Sequence, residues 1–543
     1  MKNNLLLLLS VIFFAAPLRA QTPLPSVQEV YQIFKNKCIT CHDHASPEAG
    51  LDLEGTGSTE LLRAINVAQK LVNVDPTNTY AGNSGLKRVY PGRPDRSFLF
   101  RKINNGLEST IAALHAEEGE SMPQSPSTPL TNLEKEIIRQ WILFGAKTTG
   151  VSFDKSVVES FYNVGGQKSF PDGPPPPPAP GEGFQIKMGP FYLPPDGELE
   201  YFQKYELSLP ANIEVNRMEM LISGYSHHFI VYNFEGTGAN AVPHGLRLNA
   251  NHDQINLVAA VQEQTDLHLP QGTAFRWEKD ITLDLNAHYI NYSLLLPYQC
   301  EVYVNVYTQP VGTAQQQMYA TLLVNPFIPI PNNGNLITYS KPEFQFGAGT
   351  LYVWGLMGHT HKYGRSYKVW KRLASGQKGE LIYDASCPLG IPGCPTQFFD
   401  YQHIPLRYWE PLMPINWNTG IIHEASWVNE GPESVAFGPT SDDEMMVLIA
   451  FYTLAPVTVD TEEPAETAQQ VLTAPNPTNG AIRITVPGVA EVRRFGLFDL
   501  TGRQLLSRND IPSNAFELDL GLLPNGIYVF NADGRTGKIV VEH

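Results

Sequence analysis

Glu301-Val-Tyr-Val-Asn-Val-Tyr307 and Met446-Val-Leu-Ile-Ala-Phe-Tyr452 set the fold class of this 543-residue chain. Each is a short run rich in β-branched and aromatic residues, the first strictly alternating, as a strand with one face in a core requires. The same texture, broken by Pro, Gly and Asn, runs from Phe184 to about Leu454. Turn-punctuated strands over that length predict two β-sandwich domains, residues 184–328 and 329–456, divided at the proline-rich Pro326 to Pro331.

Outward from this block the texture changes twice. Toward the N-terminus, residues 27–149 read as mostly helical. Val27 to Lys37 forms one helix, and Asn132 to Phe144 another, with Leu133, Ile137, Ile138, Trp141 and Ile142 at helical spacing, Thr131 as N-cap and Glu134 three residues on. The stretch PDGPPPPPAPGEG, residues 171–183, offers few backbone donors and is expected to be a stiff spacer within a linker over 151–183. Toward the C-terminus, an acidic Ala/Thr-rich linker (457–470) leads to a small all-β unit, 471–543, with strand-like runs such as Ile482 to Val486 and Ile527 to Phe530.

Composition narrows the function classes. A formal charge of -16 and no Lys/Arg cluster exclude nucleic acid as a partner, because phosphate binding needs a basic surface. Residues 1–20, with Lys2, an apolar run from Leu5 to Ala16 and Ala20 before Gln21, have the pattern of a cleaved secretory signal, and no segment is long enough for a stable membrane span. Of five cysteines, Cys387 and Cys394 enclose a turn-rich loop that favours a local disulfide after export, and Cys300 is left as a small buried apolar residue.

Cys38, Cys41 and His42 form a CxxCH motif, in which two thiols reach the haem vinyl groups and the histidine ligates iron, so haem c is the expected cofactor. A distal ligand from the loop before the last helix is Met122, in Ser121-Met122-Pro123, with His115 as its rival. His44 lies outside the motif and reads as a surface residue.

Further along, Tyr225-Ser226-His227-His228, Asn286-Ala287-His288-Tyr289, His359-Thr360-His361 and Asp443-Glu444-Met445-Met446 supply five histidines and a thioether. Imidazole suits copper in either oxidation state and a thioether favours Cu(I), so this set suggests two copper ions and oxygen chemistry. His359 and His361 share a strand face, whereas adjacent His227 and His228 need a bulge or different ring nitrogens to meet one ion. Met445 and Met446 point opposite ways, so only one can be a ligand, and Asp443 and Glu444 read as solvated turn residues, with acceptance of a ligand histidine N–H as the alternative. His244, His252, His268, His403 and His423 have no assigned role.

Three resemblances sharpen these expectations. Through KNKCITCH, PGRPDRSFLFRKI, SMPQ and RQWILFGA, residues 31–146 resemble the cytochrome c-like domains of planctomycete and Bacteroidetes surface proteins, which implies a small all-α haem domain over 21–150 and favours Met122. Through GYSHHFIVYNF, LNAHYIN, GHTHKYG and TSDDEMMVLIAFYTL, residues 185–454 resemble the copper type II, ascorbate-dependent monooxygenases, the peptidylglycine α-hydroxylating and dopamine β-monooxygenase family. That resemblance implies two jelly-roll-like β domains. It implies electron-donating copper on His227, His228 and His288, and oxygen-activating copper on His359, His361 and Met445. Where the peptide-amidating member has a carboxylate-binding arginine this chain has Met357, and the polar and tyrosyl partners after the ligand methionine are Val447 and Ile449, so an apolar or aromatic substrate is expected rather than peptidylglycine. The last 73 residues resemble the type IX secretion sorting domain, through APNPTNG, FDLTGR, LPNGIY and KIVVE. This implies a small Ig-like sandwich, the type IX machinery as partner, and passage through the periplasm to the cell surface or medium.

Together these readings predict a secreted copper monooxygenase. The expected reaction inserts oxygen from O2 into a C–H bond of a small organic substrate, with an external ascorbate-like reductant or redox protein as electron donor and the haem in the same chain as the expected relay. The alternative is a non-catalytic haem and copper electron-transfer or binding protein at the cell surface.

Overall fold

A computed structural model of the chain describes residues 23–543 apart from 126, 249, 251, 263, 346–348, 387–398, 403, 439–441, 458–470, 500–503 and 534. The expected signal segment, the Cys387/Cys394 pair, His403 and most of the 457–470 linker lie outside the described residues. The protein is mostly β-sheet, in several sandwich-like layers, with a small N-terminal helical region. Among the described residues no helix is long and apolar enough to cross a membrane.

Two compact units emerge, one of residues up to 211 with 218–267 and 278–307, the other of 212–217, 268–277 and 308–543. The first holds helices α1 (Ser26–Lys37), α2 (Glu60–Leu71), α3 (Thr79–Asn83), α4 (Phe98–Ile103), α5 (Asn132–Leu143) and α6 (Lys155–Asn163). The α5 start follows its sequence signature: Thr131 Oγ1 accepts from Glu134 N at 3.2 Å, and the Glu134 carboxylate accepts from Thr131 N at 2.7 Å. Its apolar stripe of Ile137, Ile138, Trp141 and Ile142 is buried. Helix α6 lies inside the segment expected to be linker, capped by Asp154 and burying Val157, Val158 and Phe161.

The strands of this unit that bear on the site are β1 (Gly183–Leu193), β2 (Glu198–Glu206), β3 (Ser226–Phe234), β4 (Ile255–Val261), β5 (Thr282–Ile290) and β6 (Tyr298–Gln309). They pair antiparallel as β4–β3–β5–β2 and as β1–β6. Cys300, on β6, is fully buried, as its sequence context suggests.

The helices and strands of this unit are tied together, a departure from the expected separation by a proline spacer. The polyproline segment lies against the strands, with Pro175 O accepting from Gln185 Nε2 and Pro176 O from Asn305 Nδ2, both at 3.1 Å. Its carbonyls remain acceptors although its nitrogens cannot donate, so side-chain amides can pin it. Arg139 of α5 bonds Glu108 at 2.9 Å, and Glu108 also pairs with Lys187 of β1. Arg93 lies 4.1 Å over the Tyr205 ring, and Gln140 Nε2 donates to Pro190 O at 2.7 Å. Gly145 and Gly245 meet backbone to backbone: a Cβ on Gly245 would stand 2.4 Å from Gly145 N. Both have positive φ, so glycine is required twice over.

In the second unit, β7 (Tyr319–Val324), β8 (Leu336–Glu343), β9 (Thr350–His359), β10 (Gly364–Arg372), β11 (Lys378–Asp384), β12 (Arg407–Asn416), β13 (Ile421–Val428) and β14 (Val447–Thr453) form two sheets, ordered β12–β9–β14–β7 and β8–β13–β10–β11. Strand β7 lies before the expected divide at Pro326 to Pro331, yet pairs with β14 from Tyr319↔Tyr452 to Val324↔Val447.

The C-terminal strands β15 (Leu472–Ala474), β16 (Ala481–Thr485), β17 (Val492–Phe498), β18 (Gln504–Ile511), β19 (Ala515–Asp519), β20 (Gly526–Ala532) and β21 (Arg535–Val541) make sheets β15–β16–β19 and β18–β17–β20–β21. Alternate residues such as Ile482, Ile484, Leu497, Phe530 and Ile539 fill the core between them.

Candidate metal centre

Strand β5 carries His288 in the middle of a three-strand row, opposite His228 of β3 and opposite Glu200 of β2. At the next position the β3 partner jumps from His228 to Ser226, so His227 is the extra residue of a β-bulge. The bulge lets adjacent histidines turn to the same side. The three rings are 7%, 5% and 1% exposed for His227, His228 and His288, with centroids 5.5 Å (227 to 228), 5.0 Å (227 to 288) and 5.0 Å (228 to 288) apart. Three imidazoles bound at about 2.0 Å to one tetrahedral or trigonal ion have centroids about 5 Å apart, a spacing these rings share, and the donor atoms of Glu200, His228 and His288 lie within 4.8 Å of one another. His288 Nδ1 is buried without a hydrogen-bond partner. Burial holds the His288 pKa below its ordinary value, against the pull of Glu198, which keeps the ring in the neutral form that ligates.

Carboxylates on β2 complete the surroundings. His288 Nε2 lies 2.7 Å from Glu198 Oε1, and His228 Nε2 lies 3.2 Å from Glu200 Oε1 and 3.1 Å from Asn286 Oδ1. Burial opposes the Glu200 charge, but the His228 bond and its field hold the pKa below the usual carboxylate range.

In the second unit, His359 closes β9 and His361 sits two residues on, in the turn into β10. Their rings are buried, 5.2 Å apart and nearly perpendicular, a spacing that also suits two ligands of one ion. His361 Nδ1 bonds the Asp443 carbonyl at 3.2 Å, so coordination falls to Nε2. The turn is organised by Glu444, which is fully buried rather than solvated. Its carboxylate accepts from His361 N (2.8 Å), Tyr363 N (2.6 Å) and Trp427 Nε1 (2.8 Å), and burial pushes its pKa up to about 7 despite these donors. Beside it the two methionines differ. Met446 is fully buried and its thioether accepts from Asn325 Nδ2 at 3.4 Å, while Met445 is half-buried.

Behind His359, Gly358 is pressed against the Tyr367 ring, which a Cβ would approach to 2.5 Å. That ring is fixed by its hydroxyl, 2.7 Å from Nδ1 of the buried His423, which thereby gains a structural role. His252 likewise has a supporting contact, to Asp284 at 2.7 Å, while exposed His44 bonds Asp52 at 2.8 Å.

At the CxxCH motif, His42 N and Cys41 N both bond Cys38 O, at 3.0 and 3.2 Å, in a tight turn after α1. His42 Nδ1 donates to Leu51 O at 3.0 Å, which leaves Nε2 as the lone-pair nitrogen, the form an iron ligand needs. Cys41 is exposed and Cys38 half-buried, where burial, with Glu134 beside it, pushes the Cys38 thiol up to about 12. Met122 is half-buried in the loop before α5, its N bonded to Lys102 O at 2.7 Å. Its rival His115 caps a helical turn, Nδ1 accepting from Glu117 N, and stacks on Tyr80 at 4.3 Å.

Sequence reasoning missed Glu198, Glu200, Asn286 and Trp427 as neighbours of the candidate ligands, and it ranked the solvated reading of Glu444 above the supporting one. Only Asn286 carried a signal, by alternating with His288 on one strand face.

The family model described as "Secretion system C-terminal sorting domain" matches residues 474–542. No curated protein matches the chain. Among solved structures, the chain is similar to the STIV MCP at 10% identity, over 50% of this chain and 91% of that one, with a TM-score of 0.21. It is also similar to the BSP domain of a biofilm associated protein at 10% identity, over 63% and 81%, with a TM-score of 0.12. Likenesses this slight carry no argument. The C-terminal type IX sorting domain directs the protein to the cell surface or the extracellular space.

Proposed function

We propose that this chain is an exported copper monooxygenase, hydroxylating a C–H bond of a small organic substrate. The observation that carries the reading is the buried cluster of His227, His228 and His288, whose spacing is that of three ligands on one ion. In this reading residues 184–328 and 329–456 are jelly-roll-like copper domains, 21–150 is a cytochrome c-like domain and 471–543 an Ig-like sandwich. Cys38, Cys41, His42 and Met122 hold haem c, His227, His228 and His288 one copper, and His359, His361 and Met445 the other. Bound copper supplies one-electron redox chemistry and O2 activation, and haem a place to hold an incoming electron.

The protein's part is to position and to exclude. Glu444 holds the His359 to Tyr363 turn from below, and the Asp443 carbonyl orients His361. On the face of β9 and β14 that carries His359, its cross-strand partner is Val447, and the next pair is Met357 with Ile449. With apolar side chains flanking the ligand, an uncharged apolar or aromatic substrate loses least on desolvation there, and a carboxylate would lack partners. Electrons come from an ascorbate-like reductant or a redox protein, one at a time.

The test is metal analysis and copper EPR on full-length, haem-loaded protein, with His227→Ala and Met445→Ala. Two type 2 coppers per chain, one lost or altered by each substitution, support the assignment. One copper or none leaves an electron-transfer or binding protein.

A further inference from the structure

We propose that Glu198 and Glu200 are positioning residues for the three-histidine site, each taking the Nε2 proton of one ligand ring and turning its Nδ1 toward the metal. The inference rests on the copper reading above. A neutral imidazole carries one proton, and a carboxylate at one nitrogen fixes it there, leaving the other nitrogen as the electron-pair donor. Glu198 and Glu200 alternate on one face of β2, and Glu200 lies in register with His288, itself in register with His228. This geometry lets Glu198 reach His288 Nε2 at 2.7 Å while Glu200 extends to His228 Nε2 at 3.2 Å.

Two details favour support over direct ligation by the carboxylates. Glu200 Oε1 also accepts from Asn286 Nδ2 at 3.0 Å, so both in-plane lone pairs of that oxygen serve hydrogen bonds. His288 Nδ1, on the opposite side of its ring from Glu198, is the buried nitrogen without a hydrogen-bond partner. Buried polar nitrogens in that condition call for a partner such as an ion.

The experiment titrates the full chain with Cu(II) alone, for wild type and for Glu198→Leu, Glu200→Leu, Glu198→Gln and Glu200→Gln, with far-ultraviolet circular dichroism to verify folding. Pulsed EPR reads the nuclear modulation of the remote, non-coordinated ring nitrogen. The Leu variants should bind copper at this site about 10- to 100-fold more weakly, with the remote-nitrogen signal shifted, and the His359/His361 site serves as internal control. The Gln variants keep an oxygen acceptor and should retain most of the affinity, which a folding defect or a lost ligand would not allow. Leu variants that bind within about twofold of wild type, with an unshifted signal, overturn the inference alone. Gln variants that lose copper as fully as Leu variants overturn it in favour of carboxylate ligation. Wild type that binds no copper overturns this inference and the proposed function together.

Discussion

Replacing Glu108 by Gln tests whether the helical segment and the first β-strands are one cooperative structure. Glu108 is buried between Arg139 of α5 and Lys187 of β1, with Lys187 also 2.9 Å from Glu301 and Arg139 paired with Glu136. Burial acts against its charge, but Lys187 and Arg139 more than offset it and lower its pKa from 4.5 to about 2. A depressed carboxylate pKa means stability that is complete above about pH 4.5 and lost as pH falls toward 2; the size of the depression corresponds to about 3 kcal/mol at neutral pH. Gln keeps the volume and loses the charge, so Glu108→Gln should cost about 3 kcal/mol at pH 7 and well under about 1 kcal/mol near pH 2.

The assay is urea unfolding followed at 222 nm, where the described α-helices, all between Ser26 and Asn163, dominate. Only that transition is fitted, because a chain of several domains does not unfold in one step. Lys187 lies on β1, beyond the polyproline segment, so a double-mutant cycle of Glu108→Gln with Lys187→Met measures the tie between helices and strands. A coupling of about 1 to 2 kcal/mol at pH 7 that shrinks in acid is expected. Coupling under about 0.5 kcal/mol, or a pH-independent cost for Glu108→Gln, refutes the reasoning and restores an independent helical domain.

Met446→Leu should leave copper stoichiometry unchanged and cost under about 1.5 kcal/mol, since it swaps similar volumes around the Asn325 contact; Met445→Leu should remove or alter one copper, and metal analysis separates the two. Gly245→Ala forces a Cβ into Gly145 at a positive-φ position and should destabilise by roughly 1 to 3 kcal/mol, read as a lowered melting temperature of the full chain. Removing 471–543 should leave the protein in the periplasm, which fractionation and immunoblotting would detect as loss from the surface and medium.

What could be read from sequence was what short-range chemistry encodes. The α5 box needs only Thr131 and Glu134, three residues apart, and the burial of Ile482, Ile484 and Phe530 follows from alternation alone. Helix α6 was missed because Lys155 to Asn163 abuts a proline run whose composition overrode the Asp154 cap and the spaced Val157, Val158 and Phe161. The polyproline run reads as a spacer because its lack of donors is visible locally, while its acceptors are met by Gln185 and Asn305, the second 129 positions away.

The candidate ligands were legible for the same reason and their supports were not. The adjacency of His227 and His228 leaves a bulge or the use of different ring nitrogens open, and the strand register shows the bulge. Glu200 declares nothing in the sequence, and only the register of β2 on β5 and β5 on β3 sets its carboxylate beside His228. Glu444 shows the opposite error. In a run of acidic residues it reads as solvated, yet two backbone amides and an indole N–H, 17 to 83 positions away, supply the donors that let a carboxylate be buried. The three-histidine site thus pairs locally encoded histidines with carboxylates set by distant strand pairing, whereas Glu444 fixes the backbone of the His361 turn and the Asp443 carbonyl holds the His361 ring. A ligand placed by its own motif is free to rotate about its side-chain bonds; Glu200 at the His228 ring removes that freedom, so sequences that keep the histidines but lose Glu200 should keep the donors and lose the geometry.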